Sequence, residues 1–354
     1  MKGLVIPEGY KSKTDLITTQ KQIKFVKDFF EKSLAEKLNL IRVSAPILVL
    51  SNTGVNDDLS GVERPVRFDI KALDGKDAEI VHSLAKWKRM ALAKYGFKEG
   101  DGLYTDMNAI RRDDSVDNIH SIYVDQWDWE KVISRQDRNV NYLKETVTKI
   151  VEAVYETCEK AKELFPTITL NVNKNVKFIT ALEAEEMYPT YTNKERETAL
   201  TKKYGTVFLM GIGSKLKSGK PHDNRAPDYD DWALNGDLLL YNEVLDASLE
   251  ISSMGIRVDE KSLVSQLKEA NAENRLEFNY HKAVLNGELP LTIGGGIGQS
   301  RLCMYLLQKA HIGEVQVSLW PEGLEEEAKK LGVEILKEKG SRLRTFFNLI
   351  FTYI

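Results

Sequence analysis

Apolar positions along the chain follow two periods, and the switches between them mark its elements. Between residues 20 and 38, Ile23, Val26, Phe30, Leu34 and Leu38 recur at helical spacing and form one stripe. Thr19, with Gln22 three residues on, reads as a capping-box start for that helix. A longer helix is predicted over about 140–165, with Val147, Ile150, Val151, Val154, Cys158, Ala161 and Phe165 on one face. Residues 40–50, LIRVSAPILVL, read as a strand interrupted by Pro46, which suits a sheet edge or a strand end. Alternation on both sides of Asp74-Gly75, within 66–81, predicts a hairpin closed by a type I′ turn. After Pro166 the chain turns charged and helical, with capping boxes at Thr180/Glu183 and Thr192/Glu195, so 166–205 reads as a helical insertion. Strands are predicted at 206–213, 237–244 and 247–253, with a very short loop between Trp232 and Leu234. Two helices near 260–270 and 275–286 precede a glycine-rich stretch, TIGGGIGQSRL (292–302), and a helix from Ser300. Residues 322–336 read as a short helix leading into a strand.

Strands come in pairs and runs instead of alternating with helices. The expected fold class is therefore α+β, an antiparallel sheet flanked by helices, not a doubly wound sheet. One domain is expected over residues 1–338, with the 166–205 insertion inside it. A C-terminal tail, 339–354, is basic and then apolar, and suits either a cover for a dimer seam or a poorly packed extension. Hydrophobic content of 42% with 29% charge is that of an ordinary globular chain. A net charge of −3 argues against nucleic acid as a partner. No apolar run approaches the roughly 20 residues that span a bilayer, so no membrane partner is expected. The N-terminus is too poor in apolar residues for a signal peptide, which makes the cytoplasm the expected location. With only Cys158 and Cys303, neither a disulfide framework nor a cysteine-rich metal site is expected.

Several stretches could carry chemistry. Glycines at every second position of a strand (Gly294, Gly296, Gly298) strip one face of side chains and could leave a flat shelf for a planar ring. Arg301 on the following helix could then stack on that ring or pair with a phosphate, while close strand–helix packing is the plainer alternative. Arriving after two helices, these glycines are not the fingerprint that closes the first strand of a dinucleotide-binding unit. Ser83, Lys86, Lys88 and Arg89 crowd the start of a helix, where they could hold a carboxylate or simply face solvent. In SIYVDQWDWEKV (121–132), Gln126 and Asp128 alternate with Trp127 and Trp129. Polar groups on the inner face of a strand are costly unless paired, which favours a polar pocket. RAPDYDDW (225–232), Gly236-Asp237 and EISSMGIR (250–257) gather carboxylates on neighbouring strands, a usual way to hold Mg²⁺ on a nucleoside triphosphate. A surface turn is the plainer identity of such strings.

Taken together, DDLSG (57–61), IVHSLAKWKR (80–89), GLYTDM (102–107), YVDQWDWE (123–130), RAPDYDDW, LNGD (234–237), EISSMGIR and TIGGGIGQSRL resemble the ammonia-dependent asparagine synthetases, the aspartate–ammonia ligases, over about residues 16–321. The resemblance implies the catalytic-core fold of class II aminoacyl-tRNA synthetases, closest to the aspartyl enzyme. Pro46 would then belong to the first, dimer-forming motif, and a homodimer is the family expectation. Arg111 would hold the α-phosphate of ATP. Gly294, Gly296, Gly298 and Arg301 would form the third motif against the nucleotide, with Asp230 beside it. Asp237 and Glu250 would hold Mg²⁺. L-aspartate, ATP and ammonia would give asparagine, AMP and pyrophosphate through a β-aspartyl adenylate.

Lys88 and Arg257 match the positions that grip the side-chain carboxylate in aspartyl-type enzymes, and here they would grip the α-carboxylate. Asp57 and Gln126, with Ser83 and Ser253, would read the α-amino group or guide ammonia. Asp128, Tyr229 and Gly294 would complete the substrate pocket. Ammonia as nitrogen donor also fits the residues: Lys2 follows Met1 where glutamine-using enzymes carry a nucleophilic cysteine, and neither cysteine has a nearby histidine motif. The rivals are an aspartyl- or asparaginyl-tRNA synthetase-like paralogue and a non-catalytic amino-acid- or AMP-binding regulator. The first would normally carry an anticodon-reading barrel before its catalytic core and a basic surface, and a first helix by about residue 20 is expected to leave no room for that barrel; the second would lack some of the signature arginines, acids and glycines, which are present.

Overall fold

A computed structural model describes residues 4–57, 59 and 63–337; the 339–354 tail lies outside the described residues. Its centre is an eight-stranded sheet in the order β1-β5-β6-β11-β10-β9-β8-β7. The strands are β1 (Leu40–Arg42), β5 (Gly102–Ile110), β6 (Tyr123–Val132), β7 (Lys177–Thr180), β8 (Thr206–Met210), β9 (Asp230–Asn242), β10 (Ala247–Arg257) and β11 (Thr292–Gly298). The interior pairs are antiparallel, and only the outer pairs β1–β5 and β7–β8 are parallel. This is the expected α+β sheet. A second sheet of three short strands, β2 (Leu48–Leu50), β3 (Arg67–Ile70) and β4 (Lys76–Ile80), runs β2-β4-β3.

The two faces of the large sheet do different work. On one face, α1 (Leu16–Leu38) packs along α3 (Val140–Leu164), with α8 (Gln299–Leu306) beside them. Their apolar stripes close over Trp127, Trp129, Leu238, Leu240, Ile293 and Ile297 as the main core. Trp127 and Trp129 are wholly buried, and deleting such a side chain typically costs about 3–5 kcal/mol. The opposite face carries α2 (Ala85–Tyr95) and, farther along, α4 (Ala181–Met187) and α5 (Asn193–Tyr204), which bury Leu200, Leu209 and Leu239 in a core of their own. Between these two covers the sheet is left open. That gap holds the candidate site.

Several predicted boundaries are corrected. Helix α1 starts four residues early because Asp15, not Thr19, caps it: the Asp15 carboxylate accepts from the Thr18 N–H at 2.8 Å. Thr19 and Gln22 are instead buried within the helix, near Thr14 and Thr167. The 40–50 strand is two strands in two different sheets, parted by the turn away at Pro46. The 66–81 hairpin forms, but its loop is longer than a type I′ turn. A 3-10 turn over Lys71–Leu73 leads into Asp74 and Gly75, both with positive φ, between paired Ile70 and Lys76. Both capping boxes of the 166–205 insertion are made, at Thr180/Glu183 and Thr192/Glu195. The insertion is not purely helical, since β7 extends the main sheet. The loop expected between Trp232 and Leu234 is continuous strand within β9. Among the described residues, no helix is long and apolar enough to cross a membrane.

Candidate active site

A cavity of about 330 Å³ opens on the uncovered face. Its floor is β6, β11 and β10, and its walls are the start of α2, the 223–230 segment and the first turn of α8. Strand alternation in β6 sends Gln126, Asp128 and Glu130 to this side and the two tryptophans to the core, as their spacing predicts. Lys86, Lys88 and Arg89 are buried, not solvated. Lys86 and Lys88 point toward acids, and Arg89 donates to the carbonyls of Pro290 and Val258.

The glycines of β11 act differently from a bare shelf. A Cβ added at Gly294 would lie 2.6 Å from the Glu130 carboxyl carbon and 2.7 Å from an Arg257 nitrogen. One added at Gly296 would lie 2.7 Å from Asp128 Oδ1 and would overlap the Gln126 amide. The missing side chains thus admit the polar groups of the neighbouring strand, which roof the shelf. Gly294 does not border the cavity, whereas Gly295, Gly296 and Gly298 do. Gly298 adjoins the Arg301 side chain, which a Cβ would meet at 3.2 Å.

At one end lies a buried charge network. Arg257 forks onto Glu130, with Nε at 2.9 Å and Nη2 at 2.7 Å, and its Nη1 pairs with Asp230. Asp230 also accepts from Arg225 at 3.2 Å, and Tyr229 lies under both arginines. Lys88 Nζ donates to the Gly295 carbonyl at 3.0 Å and sits 3.2 Å from Asp128. Burial pushes the Glu130 carboxyl up, but the Arg257 charge and hydrogen bonds, with Lys88 and Thr292, outweigh it and leave the group below the usual carboxylate range. Burial draws the Lys88 ammonium below the ordinary lysine value, against the pull of Asp128 and Glu130. An arginine has five N–H groups and a lysine three. Those hydrogen bonds leave Arg257 and Lys88 each with donor capacity, and both border the cavity. Ser83 donates to Asp57 at 3.2 Å, beside this network.

The other end gathers two more arginines. Arg111 follows directly on β5 and borders the cavity, while Arg112 is exposed and does not. Among the described residues, the buried Nε of Arg111 has no hydrogen-bond partner. Arg301, three residues into α8, is held by the carbonyls of Glu250 (3.1 Å) and Ile119 (3.4 Å). A β-bulge between Glu250 and Ser252 turns Glu250 and Ser253 to the same side of β10, opposite Leu239 and Asp237 of β9.

Asp237 lies just behind the cavity wall. Burial and the charge of Glu250 raise its carboxyl well above the ordinary aspartate range, while Arg301 and Lys194 help keep Glu250 below its own. Among the described residues, the buried Asp237 Oδ1 has no close hydrogen-bond partner. An orphaned carboxylate oxygen beside a second acid fits a hard divalent cation that takes few protein ligands. No cluster of three or more His, Cys, Asp or Glu residues suited to a metal occurs among the described residues.

Sequence reasoning missed several wall residues: Arg225, Asp223, His120 and Asp125. Arg225 lay inside a stretch already singled out, but nothing in its spacing showed it aimed at Asp230. Asp125 shares the tryptophan register of β6, where a carboxylate needs partners. It finds them in Ser300 N (3.1 Å), Ser300 Oγ (2.8 Å) and Lys27 (3.0 Å), and so caps the helix that carries Arg301. Both cysteines are buried, and burial pushes their thiols up to about 11 for Cys158 and about 12 for Cys303. Neither can serve as a nucleophile near neutral pH.

The mostly antiparallel sheet, open on the face that carries the cavity, has the fold of the class II aminoacyl-tRNA synthetase catalytic core. Asparaginyl-tRNA synthetase from Entamoeba histolytica superposes with a TM-score of 0.60 at 16% identity, over 85% of this chain and 67% of that one. The Pyrococcus horikoshii enzyme complexed with asparaginyl-adenylate gives 0.59 at 19%, over 84% and 68%. That likeness is of fold. The family model for aspartate–ammonia ligase matches residues 17–332. An aspartate–ammonia ligase of Ruminiclostridium cellulolyticum is 55% identical over 95% of this chain and 100% of its own length. One from Clostridium tetani is 57% identical over 94% and 98%. The chain belongs to the aspartate–ammonia ligase family, ATP-using enzymes that make asparagine from aspartate and ammonia.

Proposed function

We propose that the cavity joins AMP to the β-carboxylate of aspartate and that ammonia then displaces the AMP, giving asparagine, AMP and pyrophosphate. A free carboxylate resists attack because it would have to expel oxide. Transfer to AMP supplies a phosphate leaving group, and the protein's share is positioning and charge stabilisation. The unused donors of Lys88 and Arg257 hold the α-carboxylate. Asp57, Gln126 and Asp128, with Ser83, Ser253 and Tyr229, take the α-amino group and fix the turn of the substrate. The β-carboxylate is thereby directed toward Arg111, whose orphaned Nε supports contact with the α-phosphate. Arg301 pairs with the more distal phosphates, and Asp230 orders the arginines between the two ends. Gly296 and Gly298 let the polar floor and Arg301 approach one another. Asp237 and Glu250 are the residues suited to Mg²⁺, which when bound would neutralise phosphate charge.

The observation that carries this is the separation of two cation sets within one cavity: Lys88–Arg257 on a buried acid network, and Arg111–Arg301 facing the far end. The test is to label the β-carboxylate oxygens of aspartate with ¹⁸O. Label appearing in AMP supports activation at that carboxylate. Label reaching AMP only from the α-carboxylate would reverse the substrate, and label in inorganic phosphate would exclude adenylation. A homodimer, one catalytic domain over 1–338 and a cytoplasmic location belong to the same proposal. Ile41 (63% exposed), Ile47 (53%) and Leu48 (38%), flanking Pro46, support a second copy covering that edge.

A further inference from the structure

A second cavity, of about 240 Å³, lies behind the catalytic one and shares Asp57 and Glu63 with it. At its base is Asp228, wholly buried, whose Oδ2 lies 3.0 Å from each of Lys86 Nζ, Arg275 Nη1 and His281 Nε2. His281 comes from α7 (Asn279–Leu285) and is also wholly buried, flanked by Phe278 and Tyr280. With Nε2 facing a carboxylate, that nitrogen carries the proton and Nδ1 is left as an acceptor. Among the described residues, neither Nδ1 of His281 nor Oδ1 of Asp228 has a hydrogen-bond partner. Two wholly buried side chains of one cavity thus each hold an unused acceptor. Leaving such groups unmatched is costly, so they point to a ligand rich in donors.

The reaction has a third substrate with that character. Aspartate and ATP occupy the first cavity, so the nitrogen must approach by another side. At neutral pH it arrives mostly as ammonium, which has four N–H donors, no acceptor and no lone pair for attack. We propose that the second cavity is the entry chamber for the nitrogen donor, where Asp228 and His281 receive ammonium and His281 Nδ1 takes its proton. One N–H bond breaks, its electron pair stays on nitrogen, and the proton forms the Nδ1–H bond of an imidazolium held by the Asp228 carboxylate. Neutral ammonia then passes Asp57 to the acyl adenylate. Lys86 also donates to the carbonyls of Gly54 (3.0 Å) and Asn56 (3.3 Å), tying the chamber to the segment that presents Asp57. The remaining charged wall groups among the described residues are Arg67, Glu79 and Glu63. Arg67 and Glu79 pair with each other at 2.9 Å.

This rests on the adenylate proposal, and the test separates the two. In the full-length enzyme, His281→Gln is compared with native protein using ammonium and hydroxylamine, which is uncharged at neutral pH and needs no base. Alongside, aspartate-dependent exchange of pyrophosphate into ATP is followed without any nucleophile. Loss of a general base predicts a fall of about 100-fold in kcat/KM for ammonium. It should deepen as pH falls, with hydroxylamine and exchange nearly unchanged. Equal losses for both nucleophiles, or none for ammonium, would overturn the proposal. Absence of exchange in the native enzyme would remove the adenylate and the chamber's role with it. Thr53→Trp, on the chamber wall, should raise KM for both nucleophiles while leaving KM for aspartate and ATP alone. An unchanged ammonium KM in that variant would overturn the route.

Discussion

At the scale of single residues, the site depends on charges held where water is scarce, and their removal has two separable costs. Arg257→Ala would leave buried Glu130 with only Thr292 and the more distant Lys88, and Asp230 with only Arg225; breaking such a buried pair typically costs about 3–5 kcal/mol of stability. Chemical denaturation should detect it. Arg257→Lys keeps one charge but loses the fork. That variant should fold while its KM for aspartate rises at least tenfold, with KM for ATP little changed. Asp237 predicts the opposite balance. Because its folded carboxyl keeps a proton to higher pH than the unfolded one, its ionisation weakens the fold. Stability from this group is fullest at low pH and lost as pH rises through the raised value. Asp237→Asn should therefore raise the Tm of the free enzyme near pH 8 while abolishing the extra Tm gained with Mg-ATP. A lower Tm in the free enzyme would contradict the stated origin of the shift.

Elements explain why those residues meet, and here the sequence was unevenly legible. Helices α3 and α5 and both capping boxes could be read from local pattern because their determinants lie within one turn. Thr192→Ala should accordingly cost about 1 kcal/mol in urea unfolding, with KM for aspartate unchanged. What local pattern could not give was the partner across the sheet. The alternate glycines of β11 signalled an absence of side chains, but only the register with β6 reveals that Gln126, Asp128 and Glu130 fill the space. Gly296→Ala should then act as a lesion of the site more than of the fold: kcat/KM for aspartate falls at least tenfold while Tm stays within a few degrees. A normal rate would mean that the roof over the shelf is dispensable. The start of α1 was misplaced for a related reason. Thr19 and Gln22 fit a capping pattern, yet both are claimed by tertiary neighbours, which leaves the cap to Asp15.

For the whole molecule, one sheet separates a dry core from an open reaction face, and that division follows from the alternation of tryptophans and acids in β6. The fold class was legible because strand runs and helices segregate along the chain. The cavity as a volume was not, since Asp57, Lys88, Asp128 and Arg257 reach it from four separate segments. A second copy over the Pro46 edge predicts a dimer in sedimentation velocity, converted to monomer by Ile47→Glu. A native monomer would contradict it. The central claim is adenylation, and identifying the nucleotide product tests it most directly. Purified protein given aspartate, Mg-ATP and ammonium, with no tRNA, should yield asparagine, AMP and pyrophosphate in equal amounts. ADP and phosphate as the products would contradict the account.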